Sequence, residues 1–232
     1  MQNLIFNFNY KYTMKSMIHE NNFKTSKTMS KKIKLLSLLA IAIMFTSCST
    51  DDNDNQTQLQ IEAETVSNLF APQEGGQGQP VSGEFTKFSF ATGTTTNSST
   101  DWDIAFRGTS IIINGGDSSG TTDEAERTGN GAAYITTGTF ADVTEVETGS
   151  FLQDSETGHV LSNWYTYAGP PTHEISPTPG KILVIRTHDG KYAKVEILSY
   201  YEDAQPNAEY NNYRFYTFNY VYQPNEGETS FE

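Results

Sequence analysis

From residue 61 onward the sequence predicts an all-β protein, a single antiparallel domain over residues 61–232, and three observations predict it. The apolar side chains are weighted towards rings, with 13 Tyr and 14 Phe in 232 residues, and aromatic residues suit strands better than helices. Several ring-bearing stretches alternate with period two, the pattern of a strand with one face covered. Between them lie clusters of Gly, Asn, Asp, Ser and Thr that end strands and build turns.

The elements follow in order. Ile61 to Phe70 is the one segment with a helical pattern. Phe85 to Phe90 is a first short strand. Trp102, Ile104 and Phe106 alternate with Asp103, Ala105 and Arg107, which predicts a half-buried strand. Ile111 to Ile113 continues it until Asn114-Gly115-Gly116 interrupts. Lys181 to Ser199 is the clearest hairpin: an apolar run from Ile182 to Ile185, then Asp189-Gly190, then Tyr192 to Leu198 with Ala193, Val195 and Ile197 on one face. Asp-Gly tolerates the positive φ angles that a tight hairpin turn requires. Arg214 to Gln223 places Tyr216, Phe218, Tyr220 and Tyr222 on a single face, a stripe that reads as core rather than as a cofactor wall. Two segments resist assignment to strands. Gly115 to Gly131 carries five Gly among polar residues, and Ala168 to Gly180 holds Pro170, Pro171, Pro177 and Pro179. Loops this long are uncommon and often functional, so a site is expected at one of them.

The first 47 residues read as an upstream extension and an export signal. Lys31, Lys32 and Lys34 precede an apolar run from Leu35 to Phe45 that only Ser37 interrupts, and Thr46-Ser47-Cys48 follows. Eleven residues fall short of the roughly 20 that span a bilayer. Cys48 stands where the lipobox of bacterial lipoproteins has its acylated cysteine, with Phe45 in place of the usual Leu, so it is the expected lipidation site. Met1 and Met29 are both candidate starts, and a start at Met29 would leave residues 1–28 upstream of the gene product. Residues 48–60 form an acidic tether that resembles the tag exporting Bacteroidota lipoproteins to the outside of the outer membrane. The expected location is therefore the outer membrane, lipid-anchored and facing the cell exterior. Asp51, Asn53, Asn55 and Glu62 imitate calcium-loop spacing, but Gln56 occupies the position where that loop needs Gly.

Composition excludes several classes of function. After Cys48 there are 27 acids against 8 bases, a charge of about −19, and a surface this negative repels phosphate backbones. Nucleic acid is thus not an expected partner. Cys48 is the only cysteine, which excludes intrachain disulfides and cysteine-ligated zinc or iron–sulfur sites. The chain contains no His-Glu-x-x-His word and no phosphate-binding Gly loop before a Lys, and it is not expected to be an enzyme.

Three groups of residues together resemble the HmuY family of haem-binding lipoproteins. The first is Trp102-Asp103-Ile104-Ala105-Phe106-Arg107 leading to Asn114-Gly115-Gly116. The second is Trp164-Tyr165 followed by Thr172-His173-Glu174-Ile175. The third runs from Ile185-Arg186-Thr187 through Asp189-Gly190-Lys191-Tyr192-Ala193-Lys194-Val195 to Ser199-Tyr200-Tyr201. The resemblance extends from about Phe85 to Tyr222. It implies a hand-shaped, all-β fold that takes haem from host haemoproteins and passes it to a TonB-dependent outer-membrane receptor. The alternatives are the same fold binding another tetrapyrrole or a glycan, or a structural or adhesive surface protein.

Haem iron offers axial positions on both faces of the ring, which proteins fill with His, Met, Cys or Tyr. All five Met precede Cys48, so methionine is no candidate. His173, in the proline-bounded segment, is the first axial candidate, and His159 is the candidate to oppose it. His188 adjoins a turn where exposure is expected, and tyrosines are numerous enough to supply a second ligand. Propionates call for cations at the pocket rim, and Arg107, Arg127 and Lys181 are the bases near the two long segments, although each also reads as an ordinary solvated charge. Apart from haem iron, no metal is expected.

Overall fold

A computed structural model describes residues 58–232. The export signal, Met29, Cys48 and most of the tether lie outside the described residues. In chain order the strands are β1 (Glu62–Phe70), β2 (Glu74–Gly76), β3 (Gln79–Ser82), β4 (Thr86–Ser89), β5 (Thr94–Thr96), β6 (Ile104–Arg107) and β7 (Ser110–Ile113). There follow β8 (Ala132–Thr137), β9 (Tyr165–Tyr167), β10 (Ile175–Pro177), β11 (Lys181–Arg186), β12 (Tyr192–Tyr201) and β13 (Tyr213–Gln223). Every ladder between them is antiparallel. Among the described residues no helix is long and apolar enough to cross a membrane.

Two sheets make the frame. One has five strands in the order β1-β13-β12-β11-β8, the other four in the order β5-β4-β6-β7. Their facing sides carry the rings that the alternation predicts. Phe88 meets Phe218 edge-on at 5.5 Å between centroids, and Phe106 meets Tyr216 at 4.8 Å and Phe218 at 5.7 Å. Such pairs each contribute about 0.5–1.5 kcal/mol beyond area burial. The stripe on β13 is therefore core, with Tyr216 and Phe218 wholly buried.

The segment from Ile61 to Phe70 is a strand, not a helix. It pairs with β13 from Glu62↔Tyr222 to Phe70↔Phe215. A free sheet edge offers a full row of backbone partners, and that outweighs weak local helical periodicity. The stretch from Trp102 to Arg107 is buried on both faces rather than one. Phe85, Trp102, Ala105 and Ile112 form a separate cluster on the outer face of their sheet. The segment Gly115 to Gly131 covers that face, with Ala125 packed onto the cluster.

That covering segment is irregular but firmly held. Asn114 is fully buried; its side-chain amide donates to the carbonyls of Thr100 (2.8 Å) and Trp102 (2.9 Å), and its oxygen accepts from the amides of Thr128 and Gly129. The two glycines after it are required by close approach. A Cβ on Gly115 would sit 2.0 Å from the Gly131 carbonyl oxygen, and one on Gly116, whose φ is +78°, would sit 2.1 Å from the Asp154 carbonyl oxygen.

Candidate functional site

A cleft of 670 Å³ opens beside the β9–β10 hairpin, within the size range of small-molecule pockets. Two chain segments supply most of its lining. The hairpin gives Tyr167, Pro171, Thr172, His173 and Ile175; the connection from β12 into β13 gives Tyr200, Tyr201, Glu209, Tyr210, Asn211, Tyr213 and Arg214.

The hairpin is anchored from beneath. Trp164 is buried, donates its indole N–H to the Thr109 carbonyl at 3.0 Å, and packs on Tyr200 and Tyr216 with centroids 5.9 and 5.2 Å away. The Tyr201 hydroxyl accepts the Ile175 amide at 2.9 Å, tying β10 to β12. At the tip the His173 amide donates to the Gly169 carbonyl at 2.8 Å, and the Ala168 amide to the Glu174 carbonyl at 2.9 Å. His173 is exposed, and its Nδ1 is hydrogen-bonded to the Tyr167 hydroxyl while the two rings stack at 5.8 Å. Its Nε2 has no hydrogen-bond partner among the described residues.

The other wall is braced by asparagines. The Asn207 amide donates to Asn212 Oδ1 (2.9 Å), Asn207 Nδ2 to Asn211 Oδ1 (2.6 Å), and Asn212 Nδ2 to the Gln205 carbonyl (2.8 Å). Short amide side chains satisfy the backbone locally in this way, so the loop holds a shape without a ladder. Eight described non-glycine residues have positive φ, and four of them, Gln77, His173, Tyr210 and Arg214, line this cleft. Left-handed backbone costs about 1–3 kcal/mol per residue and persists where surrounding structure imposes it, often around ligand sites.

The tyrosines differ in what they can offer. Burial pushes the Tyr200 and Tyr201 hydroxyls upward and keeps them protonated; the Arg214 cation only partly opposes this at Tyr200, as the bond from the Ile175 amide does at Tyr201. Tyr200 lies parallel to Tyr213 at 6.4 Å, and Tyr167 and Tyr213 are 52% and 41% exposed, so flat ring faces are open to a ligand.

The other sequence candidates lie elsewhere. His159 is not on the cleft lining; its Nε2 is 3.2 Å from Ser119 Oγ and 3.5 Å from Glu124 Oε1. Arg127 is buried between Glu124 (2.5 Å) and Asp154 (3.2 Å). Arg107 is 2% exposed, donates to the Gly83 carbonyl at 3.0 Å and to Thr121 Oγ1 at 2.8 Å, and lies over the Phe85 ring. These two guanidiniums are thus internal fasteners rather than solvated charges. Lys181 begins β11 opposite Thr137, away from the cleft. His188 donates its amide (3.1 Å) to Asp103 Oδ1, and its Nδ1 pairs with the same oxygen at 2.7 Å. Asp189 stands near that pair, and its carboxylate accepts from Thr187 (2.6 Å) and Lys191 (2.6 Å).

Sequence reading missed Arg214 and Tyr210. Neither sits in a distinctive word, and the only available signal was their closeness to the aromatic stripe. A second cleft, of 510 Å³, is lined by Glu84, Lys87, Asp123 and Glu124 among others, an acidic setting unsuited to an anionic ligand.

Fold and site together define an antiparallel all-β protein with one tyrosine-walled, histidine-bearing cleft. The family model described as HmuY protein matches residues 82–220, and the chain belongs to the HmuY family. None of the curated proteins matches. Solved structures similar to it include an apo HmuY analog from Tannerella forsythia, at 17% identity and TM-score 0.46, covering 73% of this chain and 100% of that one. A candidate HmuY-like haem-binding protein from Bacteroides vulgatus is similar at 15% identity and TM-score 0.43, covering 73% and 97%. A candidate lipoprotein from Bacteroides fragilis is similar at 13% and 0.44, covering 72% and 96%.

Proposed function

We propose that the protein is a haem-binding lipoprotein that holds its ligand in the tyrosine-walled cleft, with His173 as one axial ligand. The observation that carries this is the state of His173. Nδ1 is occupied by Tyr167, which orients the ring, and Nε2 remains for a metal inside an aromatic cleft; fixing one ring nitrogen to tune the other is how ligating histidines are usually set. Family membership supports the same cargo. For the second axial position we propose Tyr210, half-buried on the asparagine-braced loop, because the more buried Tyr200 and Tyr201 resist the deprotonation that iron ligation favours. Haem bound here supplies an iron centre and a flat apolar ring; the tyrosines stack on the ring and exclude water from it.

The wider reading is that Cys48 carries the lipid, residues 48–60 act as a tether for the domain over 61–232, and the cell-surface protein captures haem, also from host haemoproteins, for a TonB-dependent receptor. It rests on the leader sequence and the family resemblance. A role as a binding protein, not an enzyme, accords with both. One observation favours a second reading: a single cleft histidine with exposed tyrosine faces also suits another tetrapyrrole or a glycan, which needs stacking more than iron ligation.

Adding ferric haem to the purified protein and recording the visible spectrum tests the proposal. A ligated complex gives a Soret band sharper than and displaced from that of free haemin. His173→Ala should weaken binding at least tenfold, about 1.4 kcal/mol, and return the band towards free haemin. Tyr210→Phe should change the spectrum while retaining the His173-dependent component. A wild-type spectrum indistinguishable from free haemin defeats the haem assignment and leaves the second reading.

A further inference from the structure

We propose that Arg214 is the carboxylate anchor of the cleft, so that the site selects planar ligands bearing a free carboxylate over their neutral counterparts. This deepens the haem reading and rests on it. The region after Cys48 carries a charge of about −19, and such a field opposes the approach of any anion. A protein of this charge that takes a dicarboxylate needs a local cation in the site itself. Arg214 is the one Lys or Arg among the residues lining the cleft.

Most of the other described cations are committed, Lys87 and Arg186 to carbonyls of Ser98 and Asn130 among them, and Lys181 stands away from the cleft. Arg127 and Lys191 are in ion pairs, Lys194 donates to the carbonyls of Phe140 and Val143 at 2.8 Å each, and Arg107 is spent on its own carbonyls. Arg214 has no carboxylate within 4.0 Å among the described residues, and it alone of these cations lines the cleft. Its Nη1 donates to the Gln73 carbonyl at 2.7 Å, and its guanidinium lies 5.1 Å from the Tyr213 ring centroid. A guanidinium has five N–H donors in a fixed fork, so one bond to Gln73 fixes the group and leaves donors for a carboxylate.

The backbone points the same way. Arg214 belongs to β13 yet has φ +76°, while its carbonyl still accepts the Ala71 amide at 2.8 Å. Arg214 lies where the β12–β13 ladder shifts register, between the pairs Ser199↔Thr217 and Tyr201↔Tyr213, and a bulky residue at positive φ in such a bulge is held there by its surroundings, a device that re-aims a side chain beside a site. Glu209 also lines the cleft, but it is exposed and screened by solvent, whereas Arg214 is half-buried between the tyrosines.

The test is titration of the full chain with ferric haem and with its dimethyl ester, followed by quenching of tryptophan fluorescence and by the Soret band. The wild type should bind the free acid at least tenfold more tightly than the ester. Arg214→Gln should bring that ratio close to one, mainly by weakening the acid, and Arg214→Lys should restore part of it. Thermal melts of each variant report whether the fold is retained, and if Arg214→Gln does not fold the wild-type comparison decides alone. Equal wild-type affinity for acid and ester, with His173-dependent ligation intact, overturns the anchor and leaves the haem reading standing. An undiminished ratio in folded Arg214→Gln does the same. Binding of neither compound removes the haem reading, and the anchor with it.

Discussion

Asp103 shows how much a single buried carboxylate can organise. It is 1% exposed; Oδ2 accepts the Phe90 amide at 2.8 Å, and Oδ1 accepts both the backbone and the ring of His188. It thereby links the four-stranded sheet to the β11–β12 turn. The hydrogen bond that the ring donates to Asp103 raises the His188 pKa; burial opposes this, and the charges of Asp103, Asp189 and Asp101 reinforce it. A group whose folded pKa lies above its unfolded value of about 6.5 stabilises fully below that value, and the contribution fades as pH rises through the folded pKa. Urea midpoints should therefore fall on going from about pH 6 to above the raised value, and His188→Gln should flatten that slope. Parallel slopes in the two proteins would show that the pair does not titrate in this window. The Trp102-Asp103 word was legible in the sequence, whereas the partner of Asp103, 85 residues away, was not.

At the scale of elements, the two long segments that looked alike in sequence have opposite fates. Gly115 to Gly131 is pinned through Glu124, which accepts from Ser119 Oγ (2.9 Å), Thr121 Oγ1 (2.9 Å) and Arg127. Despite burial, these bonds hold its carboxyl well below the usual carboxylate range. Removing one partner of a buried ion pair typically costs about 3–5 kcal/mol, so Glu124→Gln should destabilise by about 3 kcal/mol and open the segment to limited proteolysis. An unchanged melting temperature would mean that Asp154 alone satisfies Arg127. Ala168 to Gly180, in contrast, contains β10 and folds back on β9 to form the cleft wall that carries His173. Composition marked both as loops. Only contact with β6 and β7 in one case, and with β12 in the other, separates cover from site.

Over the whole molecule, the region after Cys48 carries about −19 in charge around a core made largely of rings. Like-charge repulsion works against the compact state, while the buried pairs are screened little by added salt. Raising sodium chloride from about 20 to about 300 mM should raise the melting temperature by roughly 2–4 °C. A fall would indicate that surface ion pairs dominate over net repulsion. Core and surface thus divide the work: interlocked rings between two sheets supply cohesion, and one cleft interrupts an otherwise acidic exterior with a histidine, an arginine and a set of tyrosines.

The sequence by itself determined the fold class, the β11–β12 hairpin and the core stripe of β13, and it marked out the segment bearing His173, which lines the cleft. These depend on local periodicity and turn chemistry, which a few neighbouring residues are enough to specify. Tertiary structure alone decided that β1 is a strand, that Arg107 and Arg127 are internal, that His159 lies apart from His173, and that Tyr210 and Arg214 join it. Each of these depends on which distant segment fills a sheet edge, covers an outer face or closes a cleft, and such pairings leave no periodic mark on the chain.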